Sequence, residues 1–162
     1  MKIRVGFGFD VHQLRDNCDF YLGGLKISHH KGAFGHSDAD VLIHSICDAL
    51  LGAANLRDIG FHFPDSSNEY KDIDSKILLK KVVQLIIEKG YSIQNIDTTV
   101  CIQNPKISPY IPEMKNVLSK TMNISEENIS IKATTTDKLG FIGREEGIAV
   151  YACVLICNQS NN

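Results

Sequence analysis

The sequence predicts a single domain of the α/β (α+β) class, with a mixed sheet, helices packed on one face of it and a small hairpin. Three observations support this class. Stretches rich in β-formers alternate with amphipathic helical stretches, and a Gly-Gly pair separates two short apolar runs. The 162 residues are enough for one compact core and too few for two. The domain is expected to span residues 1–157, and residues 158–162 are expected to form a frayed tail.

The first half of the chain is predicted to hold a strand, a hairpin and a helix. IRVGFGFDVH alternates like a strand, and FYLGGLKIS has the paired runs of a hairpin. Ser37 or Asp38 can cap a helix from about Asp40 to Ala54, whose apolar residues recur at helical spacing. The polar stretch that follows, NLRDIGFHFPDSSNEYKD, predicts a long loop, and loops of this length are usually functional or mobile.

The second half is predicted to alternate helices with strands. DSKILLKKVVQLIIEK is an amphipathic helix that Gly90 ends. SIQNIDTTVCIQ and ISIKATTT are expected to be strands, with a proline-initiated helix, SPYIPEMKNVLSKTMN, between them. DKLGFIGREEG is a glycine-bearing turn, and the apolar run IAVYACVLIC closes the sheet as a buried strand.

Composition and charge exclude several classes of protein. The chain is 43% hydrophobic and 22% charged with a formal net charge of −2, which does not favour a general binder of nucleic acid or anionic membranes. No apolar run approaches the length of a membrane span. The five cysteines form no C-x-x-C pair, which is typical of reduced thiols. The start has no apolar signal segment, so we expect a cytoplasmic (bacterial) protein, or one of a plastid-type organelle if a targeting segment was removed.

An aspartate and two histidines are predicted to meet in a metal site. Asp10 and His12 lie two residues apart in a strand, so their side chains share one face. This pair alone is also typical of an ion pair at a strand edge. Asp40, His44 and Asp48 recur at i, i+4 and i+8 on a helix that is otherwise very apolar, although a solvated face gives the same stripe. Asp10, His12 and His44 together form the N/N/O set of an open zinc site. Asp40 and Asp48 are expected to hold an imidazole of this set in place.

Two further stretches predict contacts with phosphate. His36 and Ser37 precede the first helix, where free backbone N–H groups bind anions. KATTTDKLGFIGREEG places hydroxyls and a carboxylate at a strand end, which suits phosphate oxygens and a hard cation, although threonines are also common in strands. Arg144 in the same stretch suits a phosphate or a carboxylate. By contrast His29, His30 and His62 are predicted to be ordinary loop or surface residues.

In combination these motifs resemble the 2-C-methyl-D-erythritol 2,4-cyclodiphosphate synthases, a family of the non-mevalonate isoprenoid pathway. The resemblance covers nearly the whole chain through GFDVH, GHSDADVLIHSICDALLGAA, DIGFHFPD, NPK followed by IP, and KATTTDKLGFIGREEGIA. It implies a homotrimer with active sites between neighbouring subunits. It also implies conversion of 4-diphosphocytidyl-2-C-methyl-D-erythritol 2-phosphate to the 2,4-cyclodiphosphate, with the 2-phosphate attacking the β-phosphorus and CMP leaving.

The resemblance also implies roles for single residues. The zinc ligands are Asp10, His12 and His44, and Asp137 holds a second cation, magnesium or manganese. His36 and Thr135 are the implied catalytic residues, which stabilise the transition state. The implied substrate contacts are Asp10, Val11, His12, His36, Ser37, Asp58, Ile59, Gly60, Phe63, Pro64, Asp65, Ser66, Ser67, Ile102, Gln103, Asn104, Pro105, Lys106, Ile107, Ser108, Thr134, Thr135, Thr136, Asp137, Phe141 and Arg144.

The chain departs from the family at some positions, and other functions remain open. The family often has His at position 7, Glu at position 137 and Gly at position 145, where this chain has Phe7, Asp137 and Glu145. A zinc-dependent phosphoesterase and a non-enzymatic metal-binding trimer are the alternatives. Lys106 and the KATTTDK segment favour a cytidine diphosphate substrate over both, with no nucleic-acid or membrane partner.

Overall fold

A computed structural model describes residues 1–35, 37–64 and 73–158. The strands are β1 (Lys2–Asp16), β2 (Phe20–Leu22), β3 (Leu25–Ile27), β4 (Lys31–Phe34), β5 (Tyr91–Cys101), β6 (Ile129–Thr134) and β7 (Gly147–Asn158). The helices are α1 (Val41–Ala53), α2 (Ile59–His62), α3 (Ser75–Glu88), α4 (Ile111–Met122) and α5 (Gly140–Gly143). Single 3₁₀ turns occur at Ser108–Tyr110 and Glu126–Asn128.

Within the described residues the strands form a five-stranded mixed sheet in the order β4-β1-β7-β5-β6 and a separate hairpin, β2-β3. The pair β5 and β6 is parallel, and the other neighbours in the large sheet are antiparallel. The long helices α1, α3 and α4 lie on one face, and α1 is buried between this face and α3. The predicted single domain with a mixed sheet, one helical face and a hairpin is confirmed.

Several predicted boundaries differ from the observed ones. Strand β1 continues to Asp16, because its end pairs with β4 at the edge of the sheet. The N-cap of α1 is Asp40, whose side chain accepts the backbone N–H of Ile43, so neither Ser37 nor Asp38 caps this helix. Strand β7 includes Asn158, which pairs with Lys2 and therefore does not belong to a frayed tail. Residues 159–162 lie outside the described residues.

Two glycines allow α1 to pack directly on the backbone of β1. A Cβ atom at Gly6 would lie 1.9 Å from the carbonyl oxygen of Ala49, and one at Gly8 would lie 2.1 Å from that of Ser45. Only glycine fits where two backbones approach this closely. Because Asp10 shares this face with Gly6 and Gly8, the close contact brings α1 within reach of the carboxylate.

The opposite face of β1, which we call the open face, is apolar and exposed. Its side chains are between 43% and 65% exposed and comprise Ile3, Val5, Phe7, Phe9 and Val11. On β7, Tyr151 stacks beside them, with its ring centre 5.0 Å from that of Phe9. A contiguous apolar surface of this kind is typical of a protein–protein contact. None of the described helices is long and apolar enough to cross a membrane.

Candidate metal centre and substrate site

The structure brings Asp10, His12 and His44 together at the junction of β1 and α1. Asp10 Oδ2 lies 3.1 Å from His12 Nε2 and 3.1 Å from His44 Nδ1. The two histidine nitrogens are 3.3 Å apart. Donor atoms bound to one tetrahedral zinc ion at about 2.0–2.1 Å lie about 3.3 Å from each other. Three donors that already converge at this spacing therefore fit a metal ion, and the three side chains form a candidate metal site.

Interactions within the site shift the pKa values of Asp10 and His12. Burial alone would raise the pKa of Asp10, but hydrogen bonds and charges from His12 and His44 hold it well below its usual range. Burial lowers the pKa of His12, yet the hydrogen bond to Asp10, its charge and a hydrogen bond to the Phe34 backbone raise it above its ordinary value. A proton therefore competes with a metal ion for the imidazole of His12.

Together with Ser37, Ser75, which no sequence motif indicated, holds the imidazole of His44. Its Nε2 lies 3.0 Å from Ser75 Oγ and 3.1 Å from Ser37 Oγ. Ser75 Oγ in turn donates to Asp38 Oδ1, and the Ser75 backbone N–H donates to Asp38 Oδ2 at 3.0 Å. This chain of contacts favours the tautomer with the proton on Nε2, which leaves Nδ1 free to bind a metal ion.

The expectation that Asp40 and Asp48 hold an imidazole is wrong. Both oxygens of Asp40 accept backbone N–H groups, since Oδ1 lies 2.9 Å from the nitrogen of Gly23 and Oδ2 lies 2.6 Å from that of Gly24. Burial raises the pKa of this carboxyl group, although the surrounding N–H groups oppose the shift. Asp48 Oδ1 accepts the backbone N–H of Ile59 at 3.3 Å. Asp40 thus fixes the hairpin to α1, and Asp48 fixes the start of α2.

The predicted loop residues 58–60 lie at this start of α2. Asp58 caps the helix by accepting the backbone N–H of Phe61 at 3.1 Å, and Ile59 and Gly60 form its first turn. Burial raises the pKa of Asp48, the backbone hydrogen bond from Ile59 opposes the shift, and the charges of Asp58 and Asp10 add to it. Phe63 is 9% exposed and belongs to the core, whereas Pro64 is exposed.

A cavity of about 480 Å³ opens beside the metal centre. Its wall includes Ser37 and Asp38 as well as Phe34, Gly35 and Lys76. Lys76 is not among the site residues that the sequence predicts. The hydroxyl of Ser37 and the ammonium group of Lys76 line this open cleft together with the carboxylates of Asp19, Asp38 and Asp74.

The segments predicted to bind a cytidine diphosphate meet at another edge of the sheet. Strands β5 and β6 are parallel and end together, with Cys101 opposite Thr134. The backbone N–H of Ile102 donates to the carbonyl of Thr134 at 3.0 Å, and that of Lys138 donates to Gln103 Oε1 at 3.4 Å. Asp137 has a left-handed φ of 51°, which turns the chain at the strand end. Residues 102–108 and 134–137 therefore form one continuous surface.

Not every predicted contact residue points toward these surfaces. Val11 lies on the open face, opposite Asp10, so only its backbone can reach the metal side. Ile102 and Ile107 are 3% and 1% exposed and pack in the core. The guanidinium of Arg144 is paired with Glu146, with both nitrogen–oxygen distances at 3.0 Å. The remaining exposed side chains of this surface are Asn104, Lys106, Ser108, Thr134, Thr135, Asp137 and Phe141.

The metal centre and the 102–108/134–137 surface are separated within one chain. His12 pairs with Ile148 on β7, and on the next strands Ala149 pairs with Cys101 and Cys101 with Thr134. Three steps between neighbouring strands at about 4.8 Å each place His12 and Thr134 about 14 Å apart. Four predicted site residues, His36, Asp65, Ser66 and Ser67, lie outside the described residues.

Comparison with known proteins gives a consistent family. The profile of the YgbB family matches residues 3–157. A 2-C-methyl-D-erythritol 2,4-cyclodiphosphate synthase of Bacteroides fragilis is 65% identical over 156 residues, which cover 96% of this chain and 98% of that protein. A synthase of the same name from Bacteroides thetaiotaomicron is 64% identical over the same length.

Solved structures of related proteins support the same family. IspF of Plasmodium falciparum, solved as a CDP complex, gives a TM-score of 0.86 at 37% identity and covers 98% of this chain and 97% of that one. The bifunctional IspDF of Campylobacter jejuni gives a TM-score of 0.94 at 42% identity over 98% of this chain, which spans 43% of that longer protein. With the profile, the sequence identity and the fold in agreement, the chain belongs to the YgbB family of 2-C-methyl-D-erythritol 2,4-cyclodiphosphate synthases.

Proposed function

We propose that this chain forms 2-C-methyl-D-erythritol 2,4-cyclodiphosphate by metal-assisted attack of a 2-phosphate on the β-phosphorus of its own cytidine diphosphate group, with release of CMP. Family membership gives the synthase activity. The convergence of Asp10 Oδ2, His12 Nε2 and His44 Nδ1 beside a polar cavity carries the proposed mechanism.

Zinc is the ion that we propose for this centre. Two imidazole nitrogens and one carboxylate oxygen are the ligand set of zinc sites that keep a fourth position open. When bound, zinc supplies a Lewis acid that polarises a phosphate oxygen and helps to orient the phosphate. Asp10, His12 and His44 would hold it, and Ser75 and Ser37 would fix the ring of His44.

The chain's own residues position the reacting phosphate. Ser37 and the backbone before α1 line the cavity, and His36 in the same segment is proposed to bind the phosphate as well. A phosphate nucleophile is already anionic near neutral pH, so the reaction needs no strong general base. Holding both reacting groups in one cavity makes the attack intramolecular in a fixed geometry, which lowers its entropic cost.

The surface at the ends of β5 and β6 is proposed to bind the cytidine diphosphate. Phosphoryl transfer depends mostly on positioning and on neutralising charge. Thr135 is proposed to stabilise the transition state, and Lys106 and Arg144 to bind the nucleotide. In a single chain Arg144 is paired with Glu146. Asp137 is proposed to hold magnesium or manganese on the diphosphate, because hard cations prefer charged oxygen ligands.

We also propose that the protein acts as a homotrimer whose subunits share each active site. The apolar open face provides a surface for association. Within one chain the backbones of His12 and Thr134 lie three strand spacings, about 14 Å, apart, whereas the two phosphorus atoms of a diphosphate are much closer together. A neighbouring subunit would bring the second surface to the metal centre. The five free cysteines fit the reducing cytoplasm, which is the compartment that we propose.

Product analysis with the authentic substrate tests the mechanism. Phosphorus NMR and mass spectrometry should detect CMP and the cyclic diphosphate in equal amounts, and a chelator should stop their formation. Release of inorganic phosphate or of a linear product would instead identify a phosphoesterase. Metal binding without turnover would identify a non-enzymatic metal-binding protein.

A further inference from the structure

A second group of metal-ligating side chains lies outside the proposed zinc centre. His29 and His30 come from the loop between β3 and β4, and Glu145 comes from the turn between α5 and β7. One ligand atom of each residue lies within 4.8 Å of those of the other two. The two imidazole ring centres are 4.3 Å apart. The group shares no ligand with the centre formed by Asp10, His12 and His44.

A buried nitrogen of this group lacks a partner. Within the described parts of the chain, His29 Nε2 is buried and makes no hydrogen bond. Such atoms are uncommon, because roughly 90% or more of buried polar groups in proteins are paired. Burial lowers the pKa of His29 and the charge of His30 lowers it further, although Glu145 opposes the shift. A neutral imidazole is the form that binds metal ions.

The carboxylate of the group is held in position by its surroundings. Glu145 has a left-handed φ of 57°, a conformation that residues with a side chain seldom adopt. Its backbone carbonyl accepts a hydrogen bond from Lys31 Nζ at 3.0 Å. Its Oε1 accepts one from Asn104 Nδ2 at 2.7 Å, which leaves Oε2 for another partner. Metal-binding carboxylates are commonly oriented by an outer hydrogen bond in this way.

We propose that His29, His30 and Glu145 form a second metal site, which takes a divalent transition-metal ion such as zinc. Two imidazoles and one carboxylate suit such ions, whereas magnesium and calcium prefer oxygen ligands. Donors on one tetrahedral zinc ion lie about 3.3 Å apart, so the group must contract slightly. His30 is the exposed member of the group, and its ring already lies against that of His29. This proposal differs from the expectation that both histidines are ordinary loop or surface residues.

An ion at this site would connect two separate loops. Glu145 is hydrogen-bonded to Asn104, which belongs to the surface at the end of β5. Binding would therefore tie the Asn104 loop to the loop of His29 and His30. The site would stabilise the fold at this edge of the sheet, and its existence does not depend on the mechanism proposed above.

Zinc binding to the full-length protein tests the site. The background is His44→Ala, which removes a ligand of the first centre. Calorimetric titration with Zn²⁺ and metal analysis after dialysis should show that this variant keeps one equivalent. Adding either His29→Gln or Glu145→Gln should remove this equivalent of zinc, because each change eliminates a ligand. Glutamine is chosen in place of Glu145 because it retains the size of the side chain and an acceptor for Asn104. Adding His62→Gln, which changes another half-buried histidine, should leave the zinc in place.

Two results would overturn the proposal. One is a His44→Ala protein that holds no zinc after dialysis. The other is one equivalent of zinc that stays bound to the His44→Ala protein after His29→Gln is added and also after Glu145→Gln is added. Circular dichroism checks that each variant is folded, and His30→Gln, at an exposed position, repeats the test should a buried substitution unfold the protein.

Discussion

Replacing Ser75 with alanine should weaken zinc binding without touching a zinc ligand. The Ser75 side chain is fully buried and connects the Asp38 carboxylate to His44 Nε2. Its loss leaves Asp38 Oδ1 without this donor and leaves Ser37 as the remaining hydroxyl beside Nε2. Outer hydrogen-bond partners of metal-binding histidines are typically worth about 10–100-fold in metal affinity. This range corresponds to about 1.4–2.8 kcal/mol of binding free energy.

Competition with a chelating dye measures the affinity, and urea unfolding measures stability on the same samples. Ser75→Thr retains the hydroxyl and should restore most of the affinity. Ser45→Ala is the matched control, because Ser45 is equally buried and donates to the carbonyl of Leu42 at 2.9 Å. It should cost about 1 kcal/mol of unfolding free energy and leave zinc affinity unchanged. A Ser75→Ala protein that binds zinc as tightly as Ser45→Ala would refute the role assigned to this contact.

Three further predictions concern the proposed mechanism. His44→Ala should lose the zinc of the first centre and all turnover while circular dichroism stays native, because the core of α1 is formed by its apolar residues; full activity with zinc supplied would contradict the assignment. When His44→Ala and Thr135→Ala chains are mixed and reassembled, part of the activity should return, because some active sites then combine an intact metal centre from one chain with an intact nucleotide surface from the other. If no activity returns despite proven subunit exchange, both parts of the active site belong to one chain. Asp137→Asn should raise the magnesium concentration for half-maximal rate with zinc content unchanged, whereas Asp137→Glu should retain activity; loss of zinc in Asp137→Asn would contradict the two-metal scheme.

The sequence predicts most of the fold, because the elements follow local patterns. The alternation in β1 and the helical spacing of α1 each depend on neighbouring residues. The strand alternation also places Asp10 and His12 on one face of β1, and the helical spacing places His44 on the helix that covers this face. The metal donors could therefore be named before their distances were known.

Contacts between distant parts of the chain could not be predicted in this way. Asp40 stands one helical turn before His44, which suggested a partner for the imidazole. The Gly-Gly turn of the hairpin instead presents two free N–H groups to this carboxylate. The actual partner, Ser75, is 31 residues from His44, and no local pattern links them. Glu145 is likewise far along the chain from His29 and His30.

The close contact between Gly8 and α1 sets the distance between β1, which carries Asp10 and His12, and the helix that carries His44. A methyl group at Gly8 would lie 2.1 Å from the Ser45 carbonyl, and ordinary contact begins at 3.4 Å, so the helix would have to retreat. His44 is the residue immediately before Ser45 and would move with it, by about 1 Å, which is the degree of looseness that disables designed sites. The spacing between Asp10 and His44 in the candidate metal site therefore depends on a glycine that contributes no side chain to that site.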